Sequence, residues 1–165
     1  MSPFHISLRR PALIGMAAIA ASLALAPVAA EAGSCPAGKV MADATKPVDH
    51  AAKGVTDTVL ASINLAEEPA MVQDRTFRMR RLTIEPGGIV PWHSHGDRPA
   101  MIYIVSGEVV EYASSCAVPI VHKTGDIAPE KNGTSHWWQN TGKTPAILIS
   151  VDLFPVEMKM DQHMM

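Results

Sequence analysis

From residue 55 onward, apolar and polar side chains alternate in short runs broken by turns rich in glycine, proline and asparagine. That period of two marks strands with one buried face. Residues 55–65 alternate, with Val55, Val59, Ala61 and Ile63 apolar on one side. Residues 74–84 form a second strand whose alternation slips: Phe77 and Met79 share one face, Leu82 and Ile84 the other. A bulge near Arg80-Arg81 accounts for the slip. Glu85-Pro86-Gly87-Gly88 reads as a type II turn, and Ile89-Val90-Pro91-Trp92 leads on into His93. Gly96-Asp97-Arg98-Pro99 is a turn or bulge, residues 101–105 a strand, and residues 109–112 its return. Thr124-Gly125-Asp126 turns the chain, Asn132-Gly133 signals a tight hairpin, and residues 136–140 are aromatic enough for a strand. After the turn Asn140-Thr141-Gly142-Lys143, residues 146–154 make the last buried strand. Turn signals roughly every 8–12 residues without a helical period predict an all-β fold, a closed or sandwiched jelly roll.

The first 54 residues lack this pattern. Arg9-Arg10 precede an apolar, alanine-rich stretch over residues 13–26, too short to span a membrane, and then small residues. This is the layout of a secretory signal peptide over residues 1–30, with Val28-Ala29-Ala30 or Ala30-Glu31-Ala32 as cleavage sites. The arginine pair partly fits a twin-arginine signal, which would export the chain already folded. Residues 31–54 read as an irregular arm, with His50 solvated. Removing the signal takes the formal charge from −2 to about −4. No basic face for nucleic acid and no polybasic membrane patch remains. Roughly 135 residues are left, enough for one domain with one core, and the barrel is expected over residues 55–155. Cys35 and Cys116 are the two cysteines; in an oxidising compartment they form either a disulfide or two free thiols. The tail, residues 156–165, is rich in methionine with one histidine. It reads as a frayed terminus, or as a soft site for copper(I).

The candidate chemistry sits in His93-Ser94-His95. Strand residues at i and i+2 project to one side, so both imidazoles can share one ion, and His136 from a neighbouring strand makes a third ligand. Trp138 shares the face of His136 and lines the same cavity, while Trp137 points outward toward a partner subunit. Ala100, Ile102 and Ile104 share parity and make an apolar wall below the ion. If the bulge turns Arg80 or Arg81 inward, that guanidinium clamps an anion; otherwise both lie on a solvated outer face. His122, beside a turn, is expected in solvent.

With these residues in place, the chain resembles a small single-domain cupin. Gly87, His93, His95 and Gly107 stand at the spacing of the first cupin motif; Gly125, Gly133, His136 and Asn140 stand at that of the second. The chain departs from the pattern twice. Lys131 replaces a proline, and Ala100 stands where the first motif carries its metal-binding glutamate. The resemblance therefore implies a jelly-roll barrel whose site has three histidines and no motif acid, with Asp97, Glu108 and Gln139 as substitute oxygen donors that the spacing does not separate. It also implies one divalent ion. Iron is favoured, with zinc, nickel, manganese or copper as the alternatives, because imidazole suits all of them.

Three functions follow from that resemblance. The first is an exported metalloenzyme acting on a small molecule, dioxygenase-like with iron or using Lewis-acid chemistry with another ion. The second is a binding protein that holds a metal or small ligand without turnover. The third is a metal-free interaction domain built for dimerisation, since cupins commonly pair into homodimers through their sheets.

Overall fold

The computed structural model describes residues 33–131 and 133–156. The expected signal peptide, Asn132 of the expected hairpin and residues 157–165 of the Met/His tail lie outside the described residues. Eight strands run in chain order: β1 (Lys53–Asn64), β2 (Arg75–Ser94), β3 (Ala100–Ser106), β4 (Glu108–Ala113), β5 (Ile120–Lys123), β6 (Ile127–Glu130), β7 (Ser135–Gln139) and β8 (Ala146–Pro155). They pair in the order β5-β4-β7-β2-β8-β3-β6, with β1 added to β2, and every pairing is antiparallel. The result is an all-β jelly-roll barrel, nearly closed. Among the described residues no helix is long and apolar enough to cross a membrane.

Strand β2 organises the barrel. Its first half pairs with β1 and β8, its second half with β7, so one bent strand serves both walls. The type II turn expected at residues 85–88 is instead a distortion inside this strand. Pairing with β1 jumps from Ile84 to Ile89, while Gly87 N–H and Gly88 C=O stay hydrogen-bonded to the backbone of Asn140 at 2.8 and 3.0 Å. Gly87 takes φ +74° here, a conformation that favours glycine. The Asn140 side chain pins the bend, donating to Ile84 O at 2.7 Å and Thr144 O at 2.8 Å.

The slip expected at Arg80-Arg81 is absent from β2, which pairs residue for residue with β8 from Arg75 to Ile84. The bulge lies across from it, in β1 between Val59 and Ala61. The alternation only looked broken, because the inward face of β2 carries Arg78 and Arg80 before Leu82 and Ile84, and Phe77 and Met79 lie outside.

Register then stacks the interior in layers. Ile84 faces Ala146, Leu82 faces Leu148, Arg80 faces Ser150 and Arg78 faces Asp152. On the other side of β8, Ile104 faces Leu148, Ile102 faces Ser150 and Ala100 faces Asp152. One end of the barrel is therefore apolar, centred on Ile84, Ile104 and Val109, each fully buried. Burying each such side chain contributes about 1.5–3 kcal/mol. The other end is polar, and the site lies there. The strands β5 and β6, four residues each, escaped the sequence pattern because neither is long enough to show a period. Gly107 closes the β3–β4 turn at φ +84°, where an added Cβ would lie 2.8 Å from Ala146 Cα.

The arm is not free. Cys35 and Cys116 form a disulfide, and Val40 bridges to Cys116. Trp137 faces away from the barrel interior, but this chain covers it: Tyr112 stacks on it at 4.0 Å and His50 meets it edge-on at 4.6 Å.

Candidate metal centre

His93 lies at the end of β2, His95 one residue past it, and His136 on β7 directly opposite His93. Val90 and His93 both face inward although three positions separate them. A bulge makes this work: β2 carries one more residue than β7 between the pairs Val90↔Trp138 and His93↔His136. Pro91, which has no N–H to lose, sits in that bulge.

Each ring is held by its Nδ1. His93 donates to Pro91 O at 2.9 Å and His95 to Arg98 O at 2.8 Å. A carbonyl only accepts, so these Nδ1 atoms carry the proton. His136 Nδ1 donates to Glu111 Oε1 at 2.6 Å. Burial pushes the Glu111 carboxyl up, but hydrogen bonds from His122 and His136 outweigh it and hold it at about 2, so it too accepts.

All three Nε2 atoms are thus left with bare lone pairs, and they converge. His93 Nε2 lies 3.1 Å from both His95 Nε2 and His136 Nε2. That is close to the spacing two nitrogens take when each sits about 2.0–2.1 Å from one ion. Lone pairs facing at this distance repel unless a cation lies among them. His93 and His95 also stay neutral, because burial takes His93 well below 6.5 and His95 to about 4. The donor set fits a divalent ion.

Behind His136 is a second polar group. Glu111 bridges His136 and His122, the latter at 2.8 Å. His122 is fully buried rather than solvated, and it stacks on Trp138 at 4.6 Å. Trp138 points its indole Nε1 at His136, 3.1 Å from Nδ1 with the planes 87° apart, so its N–H meets the ring face. Glu130 lies 3.5 Å from His136 Nδ1.

A cavity of about 30 Å³ opens beside the trio, lined by Arg80, Leu82, Val90, His93, His95, Ile102, Trp138, Leu148 and Ser150. Of the expected wall, only Ile102 reaches it. Ile104 lies deeper, in the apolar core, and Ala100 is buried beside Glu130 and Asp152. Arg80 turns inward and Arg81 lies outside, exposed, because the two alternate on an unbroken strand. The reading of both arginines as solvated fails for Arg80. It pairs with Asp57 and approaches Asp152 at 3.6 Å. Arg78 binds Asp152 at 2.8 Å, and Arg98 binds the same carboxylate at 3.3 Å. Three guanidiniums thus meet two carboxylates, and of the three Arg80 lines the cavity. Burial, with Arg80 close by, lowers the Arg98 pKa below its ordinary value.

None of the three substitute donors reaches the trio. Asp97 is exposed and bound to Arg75 at 2.6 Å. Glu108 pairs with Lys123 at 3.6 Å near the surface. Gln139 sits three positions from His136, on the opposite face of β7. The acids that do lie close are Glu111 and Glu130. The signal for Glu111 was present in the sequence: it shares parity with Val109 and Ala113 on the buried face of its strand, and a buried acid needs a partner.

Comparison with known proteins reports on the same segment. Residues 80–152 match the Cupin_2 family model, a cupin domain. Auxin-binding protein ABP19b of Prunus persica is 35% identical over 72 residues, covering 42% of this chain and 34% of that protein. The oxalate-binding protein of Thermotoga maritima is 35% identical over 71 residues, covering 43% and 57%. The chain thus spans between a third and somewhat over half of these two relatives. Among solved structures, the cupin domain of Schizosaccharomyces pombe Cnp3 aligns with a TM-score of 0.49 at 16% identity, covering 61% of this chain and 65% of that one. The strand order and the converging histidines agree with the match of residues 80–152 to a cupin domain.

Proposed function

We propose that this protein holds one divalent metal ion through His93, His95 and His136 and binds a small carboxylate beside it. The observation that carries the reading is the convergence of three imidazoles, each held through its Nδ1 with its Nε2 turned toward the other two. Arg80 at the cavity wall attracts an anion, and Leu82, Val90, Ile102 and Leu148 keep water out. The Thermotoga relative, an oxalate-binding protein, points to the same ligand class. When bound, the ion supplies a Lewis acid, or with iron a centre for dioxygenase-like chemistry.

A second reading, binding without turnover, has its own support. Among the described residues, Arg80 is the one titratable group besides the histidines that lines the cavity, and an arginine side chain offers donors and no acceptor. Turnover would then depend on the ion alone. Export completes the proposal, supported by the Cys35–Cys116 disulfide, which persists in oxidising compartments.

The test is elemental analysis of the full chain purified without chelators or metal-affinity resin, followed by titration with Fe(II), Mn(II) and Zn(II). One ion per chain is expected, lost in His136→Ala, with oxalate binding only to the metal-loaded protein. A wild-type chain that neither carries nor takes up metal would sink the reading. Metal and oxalate bound without oxygen uptake or product would select the second.

A further inference from the structure

We infer that Glu130 supplies the carboxylate ligand that Ala100 cannot, so that the acid of the metal site has moved one strand over, from β3 to β6. The inference rests on the metal-binding reading above.

Ala100 and Glu130 are direct cross-strand partners. Side chains in that relation leave their strands on one face, with Cβ atoms about 4.5–5.5 Å apart. A glutamate at 130 therefore starts beside the place where a glutamate at 100 would start, and the methyl of Ala100 leaves the intervening space open. Glu130 is 3% exposed, and its carboxylate already lies 3.5 Å from the His136 ring. It contacts the Nδ1 edge, and ligating the ion requires a change of side-chain rotamer toward the Nε2 edge of the same ring.

The other buried acids nearby are committed. Both Glu111 oxygens are bound, one to His136 and one to His122. Asp152 is held by Arg78 and Arg98, with Arg80 close by. Among the described residues Glu130 has no lysine or arginine partner within ion-pair distance, and the Nδ1 proton of His136 is already given to Glu111. A buried carboxylate in that position lacks a cation. The ion held by the three histidines would provide it.

The test is calorimetric titration of Zn(II) into the full-length wild type, Glu130→Gln, Glu130→Ala and the double variant Ala100→Glu/Glu130→Ala. Both single variants should weaken binding at least tenfold, the scale on which even outer-shell partners of a metal site act. The double variant should recover most of the loss, because it returns the carboxylate to the motif position. Unchanged affinity in Glu130→Gln and Glu130→Ala overturns the inference while leaving the histidine site standing. Weakened singles that the double variant does not rescue also overturn it, since Glu130 would then act through His136. A wild type that binds no zinc removes the metal-binding reading itself.

Discussion

Acidifying the metal-free protein should destabilise it with a slope set by the buried site. His95 titrates at about 4 and His93 well below 6.5, while both return to about 6.5 in the unfolded chain. A depressed histidine contributes stability that is full above 6.5 and is lost as pH falls. Between pH 4.5 and 6 the unfolded chain thus holds about two protons that the folded one does not. Glu130 works the other way. Burial raises it from 4.5 to about 7, so its contribution is full below 4.5 and is lost as pH rises through 7. Across the same window the folded chain holds there from about half a proton, at pH 4.5, to about one, at pH 6, that the unfolded chain has released. The difference is about one proton, and stability should rise with pH by about 1.4 kcal/mol per unit. From pH 6 down to 4.5 the loss is then about 2 kcal/mol, against a typical domain stability of about 5–15 kcal/mol. Glu111, held at about 2, adds a further loss in the same direction below 4.5. Glu130→Gln removes the opposing proton and should steepen the slope to about 2.8 kcal/mol per unit. Urea unfolding of chelator-stripped protein at half-unit steps from pH 4.5 to 6 measures both slopes. A flat profile, or stability that rises on acidification, would refute the assignment of neutral, buried histidines.

Two further perturbations test the frame around the site. Asp152→Asn should destabilise the fold by about 3–5 kcal/mol, because it strips the shared carboxylate from three guanidiniums, two of them buried; a loss below about 1 kcal/mol in urea unfolding would mean that water, not Asp152, solvates them. Joint replacement of Cys35 and Cys116 by serine should cost up to about 4.5 kcal/mol on the chain-entropy estimate, given the sequence separation of 81. Thermal unfolding with and without reductant checks this, and identical midpoints would count against the bond.

The sequence alone determined the strand class, the two motifs and the three histidines. These are local properties: alternation follows from the geometry of the strand, and His93 and His95 lie on one side by parity. The same locality hid the rest. The inward face of β2 looked slipped because Arg78 and Arg80 occupy it, and what makes them tolerable there is Asp152, 74 residues from Arg78, and Asp57 across the β1 pairing. His122 looked solvated beside its turn, yet a glutamate on β4 and a stacked tryptophan from β7 bury it. The absence of a glutamate at position 100 was legible. The glutamate across from Ala100 was not, because the β3–β6 register is set only when the barrel closes. Alternation tells which residues share a face within one strand, and a charge on a buried face is tolerable only with a partner from another strand. Which partner that is depends on register, and register belongs to the tertiary structure.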